Sequence, residues 1–454
     1  MRPVRILCAL TAACAWLVGP SLASADPAPI AHTVVPYSLK SGLIANRENS
    51  ERQVYSEVVN GGGVPWLRVG FGHVQLAPGS RLQITSLLDG ATQDLTAVTL
   101  AQWRYTSAYF NGSLVRVTLI AAPGSTTNAV EVDHLIVGEW VAGTESQCGP
   151  VDDRVPSDEP ARARLLNIGC STSIYNEQSC LITAGHCTES ATDLDVVEFN
   201  VPPSLSNGTI VHPGPEDQYA WSGQRQFQNS GIGNDWGLIS VFANTQTGLM
   251  PFEAQGAMLT LGTTLPAPNT TLRIVGYGVD SGTRNQTQQE HSGPLTSVTG
   301  TQLRYQVDTE GGNSGSAVTT AADDVVIGIH TNAGCNVGGS GSNSGTAITQ
   351  ANLQAALGSF CPVDGGITCG EVMRMQASCS ANRRLTVQIR MTDTSNNGQT
   401  VVAAIDGSPI NVALTLQNGA LGRAMRRVAS GAHTVSLIDP AGCANIPDVQ
   451  VTCP

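Results

Sequence analysis

Three short stretches carry residues that could do chemistry together. "LITAGHCTE" ends an apolar run on a small-residue turn and presents His186, "GNDWGLISV" places Asp235 at the start of another apolar run, and "EGGNSGSAV" sets Ser314 behind two glycines. A serine hydroxyl is a poor nucleophile near neutral pH. It needs an imidazole to take its proton and an acid to orient that imidazole and stabilise its charged form. Each stretch is ordinary alone: a histidine beside a cysteine is usually structural, an Asn-Asp pair before a strand is usually a turn, and Gly-Asn-Ser-Gly is a common loop. Their co-occurrence in the order His, Asp, Ser, each at a strand boundary, points to nucleophilic catalysis by the serine. A second Asn-Ser-Gly, in "GGSGSNSGTAI", raises the question of which serine reacts. Ser314 has predicted strands on both sides, "LRYQV" and "VVIGIHT", whereas Ser344 is followed by a predicted terminal helix. The second stretch is therefore expected to be a loop at the pocket rim, reaching back from Cys335.

These residues need a scaffold, and the chain around them reads as mainly β. From Cys148 to Cys361 short apolar runs alternate with Gly-rich turns ("CLITAGHC", "DVVEFNV", "WGLISVFA", "TLRIVGYG", "DVVIGIHT"), and only "TQANLQAALGSF" (Thr349 to Phe360) has helical character. That pattern suggests β-barrels closed by a terminal helix. Upstream, Val115, Val117 and Leu119 alternate with Arg116 and Thr118, the period-2 signature of a strand with one buried face. Residues 26–147 are expected to form an N-terminal β-rich module, retained or removed as a propeptide. Its Trp66, Trp103, Tyr105, Tyr109 and Phe110 are expected to fill a core rather than line a ligand surface. "CGPVDDRVPSDEPARARLL" (Cys148 to Leu166) is charged, Pro-containing and aperiodic, which marks a linker or an extended wrapping segment. Residues 362–454 carry further alternating runs, with turns at Asn-Asn-Gly (396–398) and Asp-Gly (406–407), and suggest a small C-terminal β-sandwich.

Composition sets limits on function. The chain has 454 residues, only 13% of them charged, and a net charge of -12, which argues against a nucleic-acid groove or a basic membrane patch. Residues 1–25 read as a signal peptide: Met1 to Arg5 is basic, Ile6 to Val18 is apolar, and Ala23-Ser24-Ala25 is a cleavage site. No later apolar run is long enough to span a bilayer. The expectation is secretion, with the periplasm as the alternative. Of 12 cysteines, Cys8 and Cys14 leave with the leader, and the even number that remains reads as disulfides in an oxidising compartment. Cys170, Cys180, His186 and Cys187 match no C-x-x-C spacing, so zinc is not expected there. No metal cluster, nucleotide loop or cofactor motif is present in the sequence. The flanking modules could bind a surface or carbohydrate ligand.

"TAGHC", "NDWGLI" and "GGNSGSAV" together resemble the catalytic boxes of chymotrypsin-like serine proteases, in particular the bacterial glutamyl endopeptidase group. The resemblance covers roughly Arg164 to Phe360. It implies a double β-barrel with the site between barrels, with His186 as general base, Asp235 as its orienting partner and Ser314 as nucleophile. The backbone N–H groups of Gly312 and Ser314 would form the oxyanion hole, and Cys170 and Cys187 match the disulfide beside the catalytic histidine. Two departures stand out. Asn313 replaces the Asp that in animal trypsins pairs with a new N-terminal ammonium, so activation by that switch is not expected; Ala317 replaces a usual Pro.

By the same resemblance His330 and Thr309 line the pocket for an acidic side chain. An imidazolium with hydroxyl donors can replace the hydration that a buried carboxylate loses. The expectation is an endopeptidase acting on protein or peptide substrates through an acyl-enzyme, cleaving after Glu and less readily after Asp. Asp308 competes with this reading, because it falls where Arg- and Lys-specific relatives carry an acid. A lipase or esterase would need G-x-S-x-G and the order Ser, acid, His, and has neither here. The rival from another class is a catalytically silent, protease-like adhesin or binding protein.

Overall fold

The computed structural model describes residues 27–139, 148–192, 194–336, 338–360, 372–392, 400–406, 408–413, 421–439 and 446–454. The expected leader, Cys361, Cys369, Cys443 and the 396–398 turn lie outside the described residues. Among the described residues no helix is long and apolar enough to cross a membrane.

The first part contains β1 (His32–Lys40), β2 (Arg52–Asn60), β3 (Trp66–Gln75), β4 (Arg81–Ser86), β5 (Thr92–Leu95), α1 (Ala97–Gln102), β6 (Phe110–Asn111), β7 (Leu114–Ala121) and β8 (Ala129–Gly138). They make two four-stranded sheets, ordered β1-β8-β3-β6 and β2-β7-β4-β5, whose apolar faces share one core. Val115, Val117 and Leu119 are fully buried on β7, as their alternation predicts. Thr118 is buried too, because its hydroxyl pairs with that of Ser56 on β2. Trp66, Trp103, Tyr109 and Phe110 are core residues, whereas Tyr105 is 48% exposed.

The middle part begins with β9 (Val155–Pro156), followed by β10 (Arg162–Asn167), β11 (Cys170–Ile174), β12 (Leu181–Thr183), β13 (Leu194–Glu198), β14 (Gln218–Asn229) and β15 (Asp235–Val241). The last six close into a barrel in the order β10-β11-β12-β15-β14-β13. After α2 (Pro251–Gln255) come β16 (Thr260–Leu261), β17 (Thr271–Gly276), β18 (Gln289–Thr299), β19 (Gln302–Tyr305), β20 (Ala317–Thr320), β21 (Val325–Asn332), β22 (Asn343–Ala347) and α3 (Ala351–Leu357). Here β21-β20-β17-β18-β19-β22 form the second ring, closed by β22 pairing back onto β21. The predicted rim loop around Ser344 is thus a barrel strand. The segment from Cys148 wraps the second barrel, β9 pairing with β18, and from Arg162 it becomes the first strand of the first barrel. Its charge misled the pattern because Arg162 and Arg164 are buried in ion pairs with Asp324 and Glu198.

The last part holds β23 (Val372–Cys379), β24 (Arg384–Met391), β25 (Thr400–Ile405), β26 (Ser408–Ala413), β27 (Leu421–Arg427), β28 (Gly431–Asp439) and β29 (Val449–Cys453). Sheets β23-β24-β27 and β26-β25-β28-β29 bury Leu385, Val387, Ile389, Val401 and Val435 between them, and Cys379 is bonded to Cys453.

Strands β10, β13 and β14 are covered on both faces. Leu165, Val197, Tyr219 and Trp221 point into the first barrel, while their neighbours Leu166, Val196 and Ala220 join the core of the N-terminal sheets. Around this shared core Arg68 pairs with Asp195, and Tyr109 stacks on His212 with centroids 4.4 Å apart. The Gln218 side chain accepts from Tyr109 N–H and donates to Tyr109 C=O, both at 2.9 Å. Beneath it Glu198 accepts from His212 Nδ1 at 2.7 Å and from Arg164 at 2.7 Å, with all three side chains buried. Burial raises the Glu198 pKa, but His212 and Arg164 outweigh it and hold the carboxyl below its ordinary range. Burial lowers that of His212.

Both shifts have the same sign in linkage: at acid pH the unfolded chain binds protons that the folded chain refuses. Stability should therefore hold near pH 7 and fall as pH drops below about 6.5, first as unfolded histidine charges and then as carboxylates protonate. Denaturant midpoints measured between pH 7 and 4 test this. Glu198→Gln should lower the midpoint at pH 7 and remove the carboxylate's share of the decline below about pH 4.5, while the histidine's share persists, because the lost charge no longer raises the His212 pKa.

Candidate active site

His186 follows β12 by a short turn and Asp235 opens β15. These two strands pair, with Thr183 opposite Gly237, and Leu181, Ile182, Leu238 and Ile239 lock both into the barrel core. The strand ends thereby set imidazole and carboxylate side by side. His186 Nδ1 lies 2.7 Å from Asp235 Oδ2, and the His186 backbone N–H donates to Oδ1 at 3.0 Å. With Nδ1–H directed at the carboxylate, Nε2 of the neutral ring is an acceptor. That nitrogen is buried and has no hydrogen-bond partner among the described residues. Asp235 itself is held from the second barrel: Thr346 Oγ1, on β22, accepts from Asp235 N–H at 3.0 Å and donates to Asp235 C=O at 2.7 Å.

Ser314 sits on the loop between β19 and β20, which β11 of the first barrel binds directly. Ser171 N–H donates to the Ser314 carbonyl at 2.8 Å. Ser171 Oγ donates to the Gly312 carbonyl and accepts from Tyr277 N–H, both at 2.9 Å. Gly315, at φ +87°, lies so close to the His186 turn that a Cβ there would fall 2.1 Å from Thr183 Oγ1. Gly312, at φ +99°, has no room either, since its Cβ would be 2.6 Å from the Tyr277 carbonyl. The neighbouring disulfide Cys170–Cys187 ties β11 to the residue after His186.

The same loop fixes two peptide groups. Gly311 C=O accepts from Val279 N–H at 2.8 Å and Asn313 C=O from Ser316 N–H at 2.9 Å. Because C=O and N–H of a trans peptide point in opposite directions, the Gly312 and Ser314 N–H groups are turned away from those donors. Asn313 is buried, and its Oδ1 accepts from Glu310 N–H at 3.1 Å.

The three residues expected around a substrate side chain behave differently. His330 is fully buried on β21, with Nδ1 2.7 Å from the Tyr305 hydroxyl; burial first, then the charge of His186, depresses its pKa to about 3. Thr309 is buried, and its Oγ1 accepts from Asn343 Nδ2 at 2.9 Å. The Asp308 carboxylate is taken up elsewhere: Oδ1 accepts from Cys148 N–H at 2.8 Å and Oδ2 from Asp153 N–H at 3.1 Å. Asp153, His291 and Asp308 bring possible ligand atoms together. His291 Nδ1, however, already accepts from Asp308 N–H at 2.7 Å. At Cys170, His186 and Cys187 the sulfurs are joined to each other, so no thiolate is available.

Sequence reasoning missed Ser171, Thr346, Tyr305 and Asn343, which hold the others in place. Asn343 and Thr346 lie in the second Asn-Ser-Gly stretch, whose composition points to a loop, and Tyr305 lies in the predicted strand "LRYQV", but nothing in the sequence marks their roles.

Residues 170–329 match the family model of the trypsin-like peptidase domain, so the two-barrel part carries a trypsin-like peptidase domain. Among solved structures, the chain is similar to a Glu endopeptidase in complex with MPD, with 20% identity over 46% of this chain and 97% of that one and a TM-score of 0.36. It is also similar to a thermostable serine protease from an extremophilic microorganism, with 15% identity over 42% of this chain and 93% of that one and a TM-score of 0.33. A comparison with curated proteins finds no match.

Thr346→Val should remove both hydrogen bonds to the buried Asp235 backbone and cost about 1–3 kcal/mol, measured as a lower denaturant midpoint, with the same pH dependence as the parent.

Proposed function

We propose that this trypsin-like peptidase domain is a working serine endopeptidase, with His186, Asp235 and Ser314 as its triad. The observation that carries the reading is the His186–Asp235 pair, with both carboxylate oxygens engaged by one histidine, beside a glycine-built serine loop seated on the same turn. In the proposed reaction the Ser314 hydroxyl attacks the scissile carbonyl while His186 Nε2 takes its proton. Asp235 keeps the ring in the Nδ1–H tautomer and stabilises the imidazolium that forms. Charge then develops on the carbonyl oxygen, where Gly312 N–H and Ser314 N–H would stabilise it. His186 returns the proton to the leaving amine, and water, deprotonated by the same histidine, hydrolyses the acyl-enzyme.

For specificity we favour an acidic side chain at the residue before the cleaved bond (P1), Glu ahead of Asp. Support comes from the fates of the competing groups. Asp308, which would select a basic residue, is tied to the Cys148 and Asp153 backbone. Thr309 and His330 flank Ser314 in the fold, His330 through backbone bonds of 2.9 Å to Gly315 and Ser316. Secretion is part of the same proposal, supported by the disulfides Cys148–Cys335, Cys170–Cys187 and Cys379–Cys453.

Ser314→Ala should lower kcat by roughly 10⁶-fold with an unchanged unfolding midpoint, and should abolish labelling by a fluorophosphonate. Labelling of the parent separates an enzyme from a silent binding protein. Matched peptides with Glu or Arg at P1 test the pocket: faster hydrolysis of the Arg peptide refutes the acidic preference.

A further inference from the structure

Tyr305 decides what the buried face of His330 can offer a substrate. Its hydroxyl has one proton, directed at the Ser344 carbonyl at 3.0 Å. It can therefore only accept from His330 Nδ1 across the 2.7 Å between them. This fixes the proton of a neutral ring on Nδ1 and leaves Nε2 as a bare lone pair. Nε2 is buried and has no hydrogen-bond partner among the described residues. A bare acceptor repels a carboxylate and suits a donor.

The surroundings do not supply the missing proton. Tyr305 faces the ring from β19, while its neighbour Arg304 alternates to the other side of the strand. From the first barrel His186 acts on it, and that charge disfavours a second cation. Strand β20 contributes Ala317 to Thr320 and β22 contributes Asn343 to Ala347, none of them titratable. His291 and Asp308, from β18 and the serine loop, are bound to one another and to the Cys148 and Asp153 backbone. Burial then keeps the ring neutral well below pH 7. The other residue of the proposed pocket, Thr309, accepts from Asn343 at Oγ1 and keeps its own proton for donation. One acceptor and one donor form the complement of a carboxamide or of a protonated carboxyl group.

We propose that the pocket takes an acidic P1 side chain only together with one proton, and that it takes P1 Gln directly, with Tyr305 as the positioning residue that imposes this rule. The inference rests on the reading of His330 and Thr309 as the P1 pocket. The balance is simple: a P1 carboxylate binds with one proton drawn from solvent, shared between its oxygen and His330 Nε2. A P1 Gln donates its amide N–H to Nε2 and accepts from Thr309, with no proton exchanged.

The test is kcat/KM for three peptides differing only in Glu, Gln or Arg at P1, from pH 6 to 8.5. Taking the Glu/Gln ratio cancels every effect common to both. The ratio should fall about tenfold per pH unit, through KM rather than kcat. In Tyr305→Phe, confirmed as folded by fluorophosphonate labelling, the ring is free to carry its proton on Nε2, and the slope should flatten. A variant that fails to label leaves the decision to the parent series. A ratio independent of pH in the parent, with Glu and Gln both preferred to Arg, overturns the proton coupling and leaves the pocket reading standing. An unchanged slope in a labelling Tyr305→Phe overturns the role of Tyr305. Preference for Arg overturns the pocket reading and this inference with it.

Discussion

The seam between the two barrels hangs on Ser171. Through its backbone and side chain this residue of the first barrel binds Ser314 C=O, Gly312 C=O and Tyr277 N–H of the second, and its own carbonyl accepts from Thr183 Oγ1 at 2.8 Å. Four bonds at one small buried residue, two through its side chain and two through its backbone, bring the serine loop, the β17 end and the strand leading to His186 into one rigid unit. Nucleophilic catalysis depends on placement within fractions of an ångström, and two separately folded barrels would not provide that by packing alone. The Cys170–Cys187 disulfide closes the same unit from the other side, joining the residues that flank Ser171 and His186. Thr346 repeats the arrangement in reverse, as a second-barrel residue holding Asp235 of the first.

A second constraint comes from the N-terminal sheets, which act as the outer wall of the first barrel. Leu166, Val196 and Ala220 would face water without them, and so would the Arg164–Glu198–His212 group. Breaking into such a buried set of charges costs several kcal/mol because each charge is stabilised only by the others. His186, just after β12, and Asp235, at the start of β15, lie across the barrel from β10 and β13, so the wall braces the scaffold without covering the strand ends that carry them.

Much of this was legible in the sequence where physics acts locally. Strand alternation on β7, the glycines of the serine loop and the apolar runs that carry His186 and Asp235 follow from backbone sterics and burial, which short-range patterns encode. What escaped has long-range causes. Arg162 and Arg164 look like linker residues because their carboxylate partners, Asp324 and Glu198, are distant in sequence. The helix predicted from Thr349 to Phe360 is confined to Ala351–Leu357, where Gln350 caps its start by accepting from Leu353 N–H at 2.6 Å. Thr346 and Ser171 gave no signal at all, since a buried hydroxyl that binds a backbone on another barrel has no characteristic spacing.

The second Asn-Ser-Gly shows why composition misleads even when the motif is noticed. Gly, Ser and Asn favour turns in isolation, yet Asn343 to Ala347 are all buried, and Ser344 to Thr346 are paired on both sides, with β19 and with β21. Small residues are required there because neighbouring backbones crowd the strand: a Cβ at Gly345 would lie 2.3 Å from the Ile329 carbonyl. Asn343 uses its whole side chain, accepting from Gly334 and Cys335 N–H and donating to Val307 C=O and Thr309 Oγ1. Ser344 contributes its carbonyl, which sets the Tyr305 proton and, through it, the tautomer of His330. The residues that resemble the Ser314 loop therefore sit one step behind it. Their polar groups fix the orientation of Thr309 and His330, and a proton placed by a backbone carbonyl on β22 determines whether the proposed pocket would present a donor or an acceptor.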